Sequence, residues 1–200
     1  CAFRSAWAPA SRLLQRSIAR PTTLVTPSPL RRSDRPCSLH EMTDPIRPTD
    51  DEARALAGRL IDGAAHGALG TLLPGGRPMV TRVAVGTTPG GAPCTLVSDL
   101  SEHTRALRDR PDCSLLLGEP GPKGDPLTHP RLTILARARF VDRTGPDHAD
   151  LAAHYLRGHP KAKLYIGFAD FSFAVFDVAE AHLNGGFGKA FRLTPADLGL

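Results

Sequence analysis

Two Pro-Gly-Gly tripeptides, at residues 74–76 and 89–91, punctuate the middle of the chain and mark tight turns. The segment between them, Pro78–Thr87, alternates between two sets of side chains: Met79, Thr81, Val83 and Val85 against Val80, Arg82, Ala84 and Gly86. This period of two predicts a β-strand. Ala68–Leu73 before the first turn and Pro93–Ser98 after the second predict two more strands. Three strands joined by tight glycine turns indicate an antiparallel meander.

The rest of the chain predicts further strands and several helices. Strands are predicted at Cys113–Leu117, Arg131–Asp142 and Phe171–Val178, and Ala179–Leu183 adds one more in an alternative interpretation. Helices are predicted at Asp50–Ala65, Ser101–Arg110, Gly145–Gly158 and Pro160–Phe168. The first of these helices follows a capping-box pattern, in which Thr49 precedes Glu52 by three positions.

The order of these elements limits the fold class. Strands and helices do not alternate as βαβ units, which disfavours a doubly wound parallel sheet. Six or seven strands, mostly in hairpins, with helices at the front, in the middle and late, favour a mainly β (α+β) fold. We expect a closed or nearly closed antiparallel barrel with flanking helices, because closure removes exposed strand edges.

Residues 1–41 differ in composition from the remainder. They hold seven of the 25 basic residues and two of the 20 acidic residues, so residues 42–200 carry 18 of each and are neutral overall. This balance removes the main support for nucleic-acid binding. An organellar transit peptide, a misassigned start before Met42 and a flexible basic tail all fit residues 1–41. We favour the misassigned start, and hence a cytoplasmic protein, because residues 42–200 account for a complete domain.

The cysteines and the apolar residues restrict the chemistry further. Four cysteines occur without a C-x-x-C spacing, so neither a zinc ribbon nor a thioredoxin-type dithiol is indicated. Cys94 and Cys113 lie among strand residues and are expected to be free thiols in a reducing compartment. The sequence has no apolar run of membrane-spanning length, and we expect no membrane association.

The pattern with most chemical content is Ser98-Asp99-Leu100-Ser101-Glu102-His103-Thr104-Arg105, where a strand ends and a helix begins. A helix N-terminus presents free backbone N–H groups and binds phosphate readily. Ser101, His103 and Thr104 would add donors, and Arg82 on a neighbouring strand would find a partner in the phosphate. In the alternative interpretation, Ser101 only caps the helix and Arg82 pairs with an acid or points to solvent.

Five segments of the chain resemble the FMN-binding split-barrel proteins related to pyridoxamine 5'-phosphate oxidase. The segments are Gly75–Val85, Thr95–Leu107, Pro111–Gly118, Asp125–Ala138 and His182–Ala190, and their combination is similar to the haem-utilisation (HugZ-type) branch. The resemblance implies a six-stranded antiparallel split β-barrel of Greek-key type. It also implies a homodimer that binds FMN across its subunit interface.

The resemblance further implies roles for individual residues. Arg82 matches the arginine that reaches the flavin phosphate, Ser98 matches a hydroxyl residue near the flavin, and His103 replaces the usual lysine of a Ser-x-Lys phosphate motif. The cofactor-binding set implied in this way consists of Arg82, Val83, Ser98, Ser101, His103, Thr104 and Arg131. No catalytic residue is identified.

One departure from the family pattern affects the predicted activity. The C-terminal Trp-Arg-His motif of true pyridoxamine phosphate oxidases is absent, because the only tryptophan is Trp7. We therefore expect another FMN-dependent oxidoreductase, served by NAD(P)H or a reductase, or a carrier of haem or flavin without turnover. His182 is the candidate ligand for haem iron, with haem bound either as ligand or as substrate.

Overall fold

The computed structural model describes residues 46–200, and the predicted N-terminal segment 1–41 lies outside them. Within the described residues, three α-helices accompany nine strands. The helices are α1 (Asp51–Asp62), α2 (Glu102–Asp109) and α3 (Asp147–Gly158). The strands are β1 (Ile46–Arg47), β2 (His66–Leu72), β3 (Pro78–Ala84), β4 (Gly86–Thr87), β5 (Pro93–Ser98), β6 (Asp112–Leu117), β7 (Arg131–Phe140), β8 (Phe171–Asn184) and β9 (Ala190–Leu193). Short 3-10 turns occupy Pro74–Gly76, Pro126–Thr128, Pro160–Leu164 and Ala196–Leu198.

All nine strands join one sheet whose main path runs β1-β9-β8-β7-β6-β2-β3. Strand β5 branches from β8 and carries β4 on its other side. Every pair is antiparallel except β1 with β9, so the sheet is mixed and its hydrogen-bonded ladder is open. The mainly β architecture with flanking helices is confirmed. The strand number is larger than the predicted six or seven, because the two-residue strands and the four-residue β9 are too short to give a sequence period.

Strand β8 contains a β-bulge that explains one ambiguity of the sequence. Leu135 of β7 pairs with Glu180, whereas the next residue of β7 pairs with Val178, so Ala179 is an extra residue in β8. A bulge shifts the alternation of side chains by one residue. Phe176 is buried before the bulge and Ala181 after it. Residues 171–184 therefore form one long strand, and the predicted division at Ala179 is wrong.

Two hydrophobic clusters hold the helices against the sheet. In the larger cluster, Ala57 and Ile61 of α1 pack with sheet residues that include Leu69, Ile134 and Phe176. The smaller cluster lies between α3 and the β5–β8 pair. Its members are Cys94, Leu96, Leu151, Tyr155, Ala162, Phe173 and Val175. Each fully buried Leu, Ile, Val or Phe side chain contributes about 1.5–3 kcal/mol of transfer free energy. Packing against the sheet therefore stabilises the helices more than their intrinsic propensity does.

The first helix starts one residue later than a capping box would place it. Asp50 is the N-cap, and its Oδ1 accepts a hydrogen bond of 2.8 Å from the N–H of Ala53. Thr49 instead donates its hydroxyl proton to the carbonyl of Arg192 at 2.8 Å. Aspartate is as good an N-cap as threonine, so the helix is predicted correctly while its capping residue is wrong.

Both cysteines of the described part of the chain are free thiols, as predicted. Burial raises the pKa of each thiol to about 12, so both are protonated and unreactive at neutral pH. Among residues 46–200, no helix is both long enough and apolar enough to cross a membrane.

Candidate phosphate site at the N-terminus of helix α2

The junction between β5 and α2 forms the centre of the candidate site. Ser101 is the N-cap of α2 in extended conformation, and its side chain makes no capping hydrogen bond. The N–H of Ser101 donates to the carbonyl of Ser98 at 3.0 Å, and the N–H of Thr104 donates to the carbonyl of Ser101 at 3.2 Å. The N–H groups of Glu102 and His103 have no acceptor within the described residues. The predicted arrangement, a free helix N-terminus beside a hydroxyl and an imidazole, is therefore present.

His103 connects this helix to strand β3. Its Nδ1 lies 3.3 Å from the hydroxyl oxygen of Thr81. Thr81 is half-buried and shares a face of β3 with buried Val83. Desolvation by burial lowers the pKa of the His103 imidazole below its ordinary value. The structure thus adds Thr81 to the site. The sequence carries no signal for this pair, because the two residues are 22 positions apart and belong to different elements.

The other side chains of the first turn of α2 differ in whether their polar atoms have hydrogen-bond partners. Thr104 is fully buried and its hydroxyl has no hydrogen-bond partner. Arg105 faces solvent and donates to Glu102 at 2.8 Å and to the carbonyl of Leu100 at 3.0 Å. Arg105 is therefore already engaged, whereas Ser101, His103 and Thr104 retain unused hydrogen-bonding capacity.

Ser98 is fixed by a residue that sequence analysis did not identify. Its hydroxyl donates to Oδ2 of Asp170 at 2.6 Å and accepts from the N–H of Leu100 at 3.1 Å. The carbonyl of Asp170 also accepts from the N–H of Asp99 at 2.7 Å. Asp170 immediately precedes β8, whose first residue pairs with Ser98.

Arg82 and Val83 are placed differently from the helix residues. Arg82 is exposed, makes no ion pair within the described residues, and lies on the face of β3 opposite Thr81, because side chains alternate along a strand. This agrees with the alternative in which Arg82 points to solvent. Val83 is 6 % exposed and packs in the larger cluster, so its side chain is not available to a ligand at the surface.

Arg131 and His182 lie away from the α2 terminus along the β7–β8 ladder. Arg131 pairs with Asn184 at the end of β8 that is remote from Phe171, and it donates to the carbonyl of Leu127 at 2.9 Å. His182 pairs with Thr133 and Arg192, and its Nε2 lies 3.1 Å from Oε1 of Glu180. Within one chain, the predicted site residues therefore divide into a group around α2 and a group at the far end of β8.

The residues around α2 fit the phosphate of FMN. Free backbone N–H groups, the Ser101 hydroxyl and an imidazole are the donor types that bind phosphate oxygens. The Thr104 hydroxyl also lacks a partner, but it is fully buried and takes no part in this surface. The fit does not depend on Arg82.

The chain resembles several known proteins. A curated relative from Arabidopsis thaliana, "Non-canonical heme oxygenase HOZ, chloroplastic", is 32% identical over 116 residues, which are 58% of this chain and 34% of that protein. A solved structure of a heme binding protein from Mycobacterium smegmatis is 32% identical, with a TM-score of 0.67, and the match covers 77% of this chain and 61% of that one. The chain thus spans about a third of the curated relative's length and less than two thirds of the mycobacterial chain.

The fold is shared more widely. A structure from Clostridium acetobutylicum, of a protein related to a general stress protein and described as of the pyridoxinephosphate oxidase family, superposes with a TM-score of 0.58 over 75% of this chain and 99% of that one, at 12% identity. At this identity the likeness shows a shared fold, so the expected resemblance to pyridoxamine phosphate oxidase-like split barrels is confirmed at the level of the fold. The family model for the CREG beta-barrel matches residues 48–198. The chain therefore belongs to the CREG beta-barrel family.

Proposed function

We propose that the protein is an FMN-binding flavoprotein whose cofactor phosphate binds at the N-terminus of α2. The observation that carries this proposal is the set of unused donors in one turn. The N–H groups of Glu102 and His103 lack acceptors, and the Ser101 hydroxyl does not cap the helix. A phosphate dianion at this position is stabilised by the helix dipole as well as by direct hydrogen bonds.

The neighbouring edge of β3 suits the ring system of a flavin. The N–H of Val85 donates to the carbonyl of Ala65 at one end of the β2–β3 ladder, and the N–H of Leu73 donates to the carbonyl of Arg77 at the other end. In an antiparallel pair, every second residue bonds across the ladder, so Arg82 and Ala84 direct their backbone N–H and C=O groups away from β2. Strand β3 has no other partner within the described sheet. A planar heterocycle with donors and acceptors on one edge can pair with these backbone groups.

The protein's own part in this function is to bind and orient the cofactor, while bound FMN supplies electron or hydride transfer. We propose an oxidoreductase that uses NAD(P)H or a reductase, and whose role lies in haem utilisation. The names of the two relatives that are 32% identical support a connection with haem.

The natural location is proposed to be the cytoplasm. Imaging of the full chain with a C-terminal tag tests this, and accumulation in an organelle would contradict it.

A second copy of the chain is the proposed partner. Val80, Leu116 and Leu135 are exposed by 70%, 41% and 36%, and the strand register places them on one outer face of β3, β2, β6 and β7. Exposed apolar residues on a continuous sheet face favour burial against a partner. Arg82 lies on the same face, so in a dimer it would approach the partner. Light scattering of L116E should give a monomer, and a dimer of unchanged mass would contradict the proposal.

Titration of the full chain with FMN, followed by quenching of flavin fluorescence, tests the cofactor proposal. We expect S101A and H103Q each to weaken FMN binding by about tenfold, which corresponds to about 1.4 kcal/mol. H66Q is the matched control, since His66 is a half-buried histidine on β2 outside the α2 terminus. Wild-type affinity in S101A and H103Q, or the absence of any FMN binding, would overturn the proposal.

Haem binding without turnover is the second candidate function. The mycobacterial relative is described as a heme binding protein. His182 has a side chain that is 41% exposed, and its Nε2 lies 3.1 Å from the Glu180 carboxylate. If Nε2 donates to Glu180, Nδ1 is left with a free lone pair, and a carboxylate in this position fixes the tautomer and the ring orientation of a histidine ligand.

Titration with hemin compares the two candidates. We expect the Soret band of wild-type protein to shift and to be lost in H182A. The control is H66A, because His66 is similarly exposed at 39% and also faces a carboxylate, that of Glu119, at 3.6 Å. Reduction of bound FMN by NADPH or NADH would favour the oxidoreductase, whereas haem binding with a flavin that no donor reduces would favour the carrier. A Soret shift that survives in H182A would exclude His182 as ligand.

A further inference from the structure

Asp170 holds the turn between β5 and α2 through two separate hydrogen bonds. Its carboxylate accepts the hydroxyl proton of Ser98 at 2.6 Å, and its backbone carbonyl accepts from Asp99 at 2.7 Å. Asp170 is half-buried and lies directly before the first residue of β8. The turn is thus attached to the start of the longest strand of the sheet.

The bond to Asp170 determines what the Ser98 hydroxyl can do. A serine hydroxyl has a single proton, and in Ser98 this proton is donated to the Asp170 carboxylate. One of its lone pairs accepts from the N–H of Leu100 at 3.1 Å. Ser98 is therefore committed to the geometry of the turn and has no proton left for a ligand. A phosphate dianion can only accept hydrogen bonds, so the effect of Ser98 on phosphate binding passes through the position of the backbone.

The same turn determines where α2 begins. The carbonyl of Ser98 accepts from the N–H of Ser101, which is the N-cap of the helix. On the other side of the turn, Arg108 bonds to Asp99 at 2.7 Å and lies 4.0 Å above the ring of Phe140. Asp170 and Arg108 thus hold the turn from two directions, and the first turn of α2 is directed towards Thr81 on β3.

We propose that Asp170 is a positioning residue for the anion site, and that Ser98 acts through it rather than as a donor to the cofactor. This inference rests on the proposed function, because it concerns the same site at the α2 terminus. The Asp170–Ser98–Leu100 chain holds the free N–H groups of Glu102 and His103 in place before a ligand arrives. Preorganised donors bind more tightly, because their ordering does not oppose binding.

The test compares FMN affinity in D170A, D170N and S98A with that in D177N. Asp177 is an exposed aspartate farther along β8 that pairs with Arg139, so it controls for the loss of a carboxylate from this strand. We expect D170A and S98A each to weaken FMN binding by about tenfold and D170N by about threefold, since the amide oxygen still accepts from Ser98. We also expect the D170A/S98A double variant to bind no more weakly than either single variant, as is usual for residues that act as one unit.

A purely structural contribution of Asp170 would lower stability without changing the affinity of the folded fraction. FMN affinity is therefore measured at denaturant-free conditions in which all variants are folded by circular dichroism. Wild-type affinity in D170A would overturn the inference and leave the proposed function standing. Additive effects in the double variant would also overturn it.

Hydrogen exchange without flavin separates this inference from the proposed function. We expect the amides of Leu100 and Ser101, which donate to Ser98, to exchange faster in D170A than in wild type, and to be unchanged in D177N. If wild-type protein binds no FMN, the proposed function fails, and the exchange result then decides alone whether Asp170 positions the helix terminus. Equal exchange in D170A and wild type would overturn the inference in that case.

Discussion

The hydroxyl oxygen of Thr81 lies 3.3 Å from Nδ1 of His103 and joins the middle of strand β3 to the first turn of helix α2. This contact brings a strand edge without a partner next to a helix terminus with unused donors. It also encloses the imidazole, whose pKa is lowered by burial. The consequences for stability can be measured without any ligand.

Stability should depend on pH through His103. Burial places the pKa of the folded imidazole below the ordinary value of 6.5, so the unfolded chain binds the proton more strongly. The contribution of His103 to the free energy of unfolding is therefore constant above pH 6.5. It decreases as the pH falls from 6.5 to the pKa of the folded imidazole. Urea unfolding at about pH 7.5 and about pH 5.5 should show a smaller decrease in H103Q than in wild type.

The control for this measurement is T81V, which removes the hydroxyl partner but keeps the buried histidine. Because burial causes the shift, T81V should retain the pH dependence of wild type. Equal pH dependence in H103Q and wild type would show that His103 is not the group responsible.

The buried hydroxyl of Thr104 should contribute nothing favourable to the stability of the free protein. Its Oγ1 has no hydrogen-bond partner and the residue is fully buried. In T104V, a methyl group of similar size replaces the hydroxyl, so the free energy of unfolding should stay the same or increase by about 1 kcal/mol. T104S, which keeps the hydroxyl and loses a methyl group, should be less stable by about 1 kcal/mol. Destabilisation of T104V beyond T104S would reveal a hydrogen bond to Thr104.

Two glycines should respond in opposite directions to replacement by alanine. A Cβ at Gly86 would lie 2.8 Å from Cδ2 of Tyr155, whereas a Cβ at Gly58 in α1 would meet no atom within 4 Å. G86A should lower the free energy of unfolding by about 1–3 kcal/mol, because Tyr155 is buried and cannot move freely. G58A should raise it by about 0.5–1 kcal/mol, because alanine favours the helix. Equal effects in thermal or urea unfolding would contradict the described packing of Tyr155 against β4.

His159 should stabilise the fold rather than bind a ligand. Its Nε2 donates to the carbonyl of Val85 at 2.7 Å, and its ring stacks on Tyr155 at 4.5 Å. It therefore satisfies a carbonyl at the point where the β2–β3 ladder ends. H159A should cost about 1–3 kcal/mol, and H159Q should cost less because its amide can still donate. A lower urea midpoint for H159Q than for H159A would show that the hydrogen bond is not the stabilising contact.

Much of the secondary structure could be predicted because it depends on neighbouring residues. The limits of Pro93–Ser98 agree with β5, and helices α1, α2 and α3 lie inside their predicted ranges. The segment at Ala179 was ambiguous because a bulge shifts the alternation there, and a bulge is defined by two strands together. Strand β9 was missed because four residues give too little periodicity, and it becomes a strand by pairing with β8.

The candidate site shows the same division between local and distant information. The sequence by itself determined that Ser101, His103 and Thr104 lie together where a helix begins, since a capping serine and the helical residues that follow it are neighbours in the chain. Only the tertiary structure decided that Thr81 joins them, that the face of β3 bearing Arg82 is exposed, and that Asp170 binds Ser98 from 72 positions away. Such contacts depend on strand register and helix packing, which are set by the burial of the whole core rather than by any short segment.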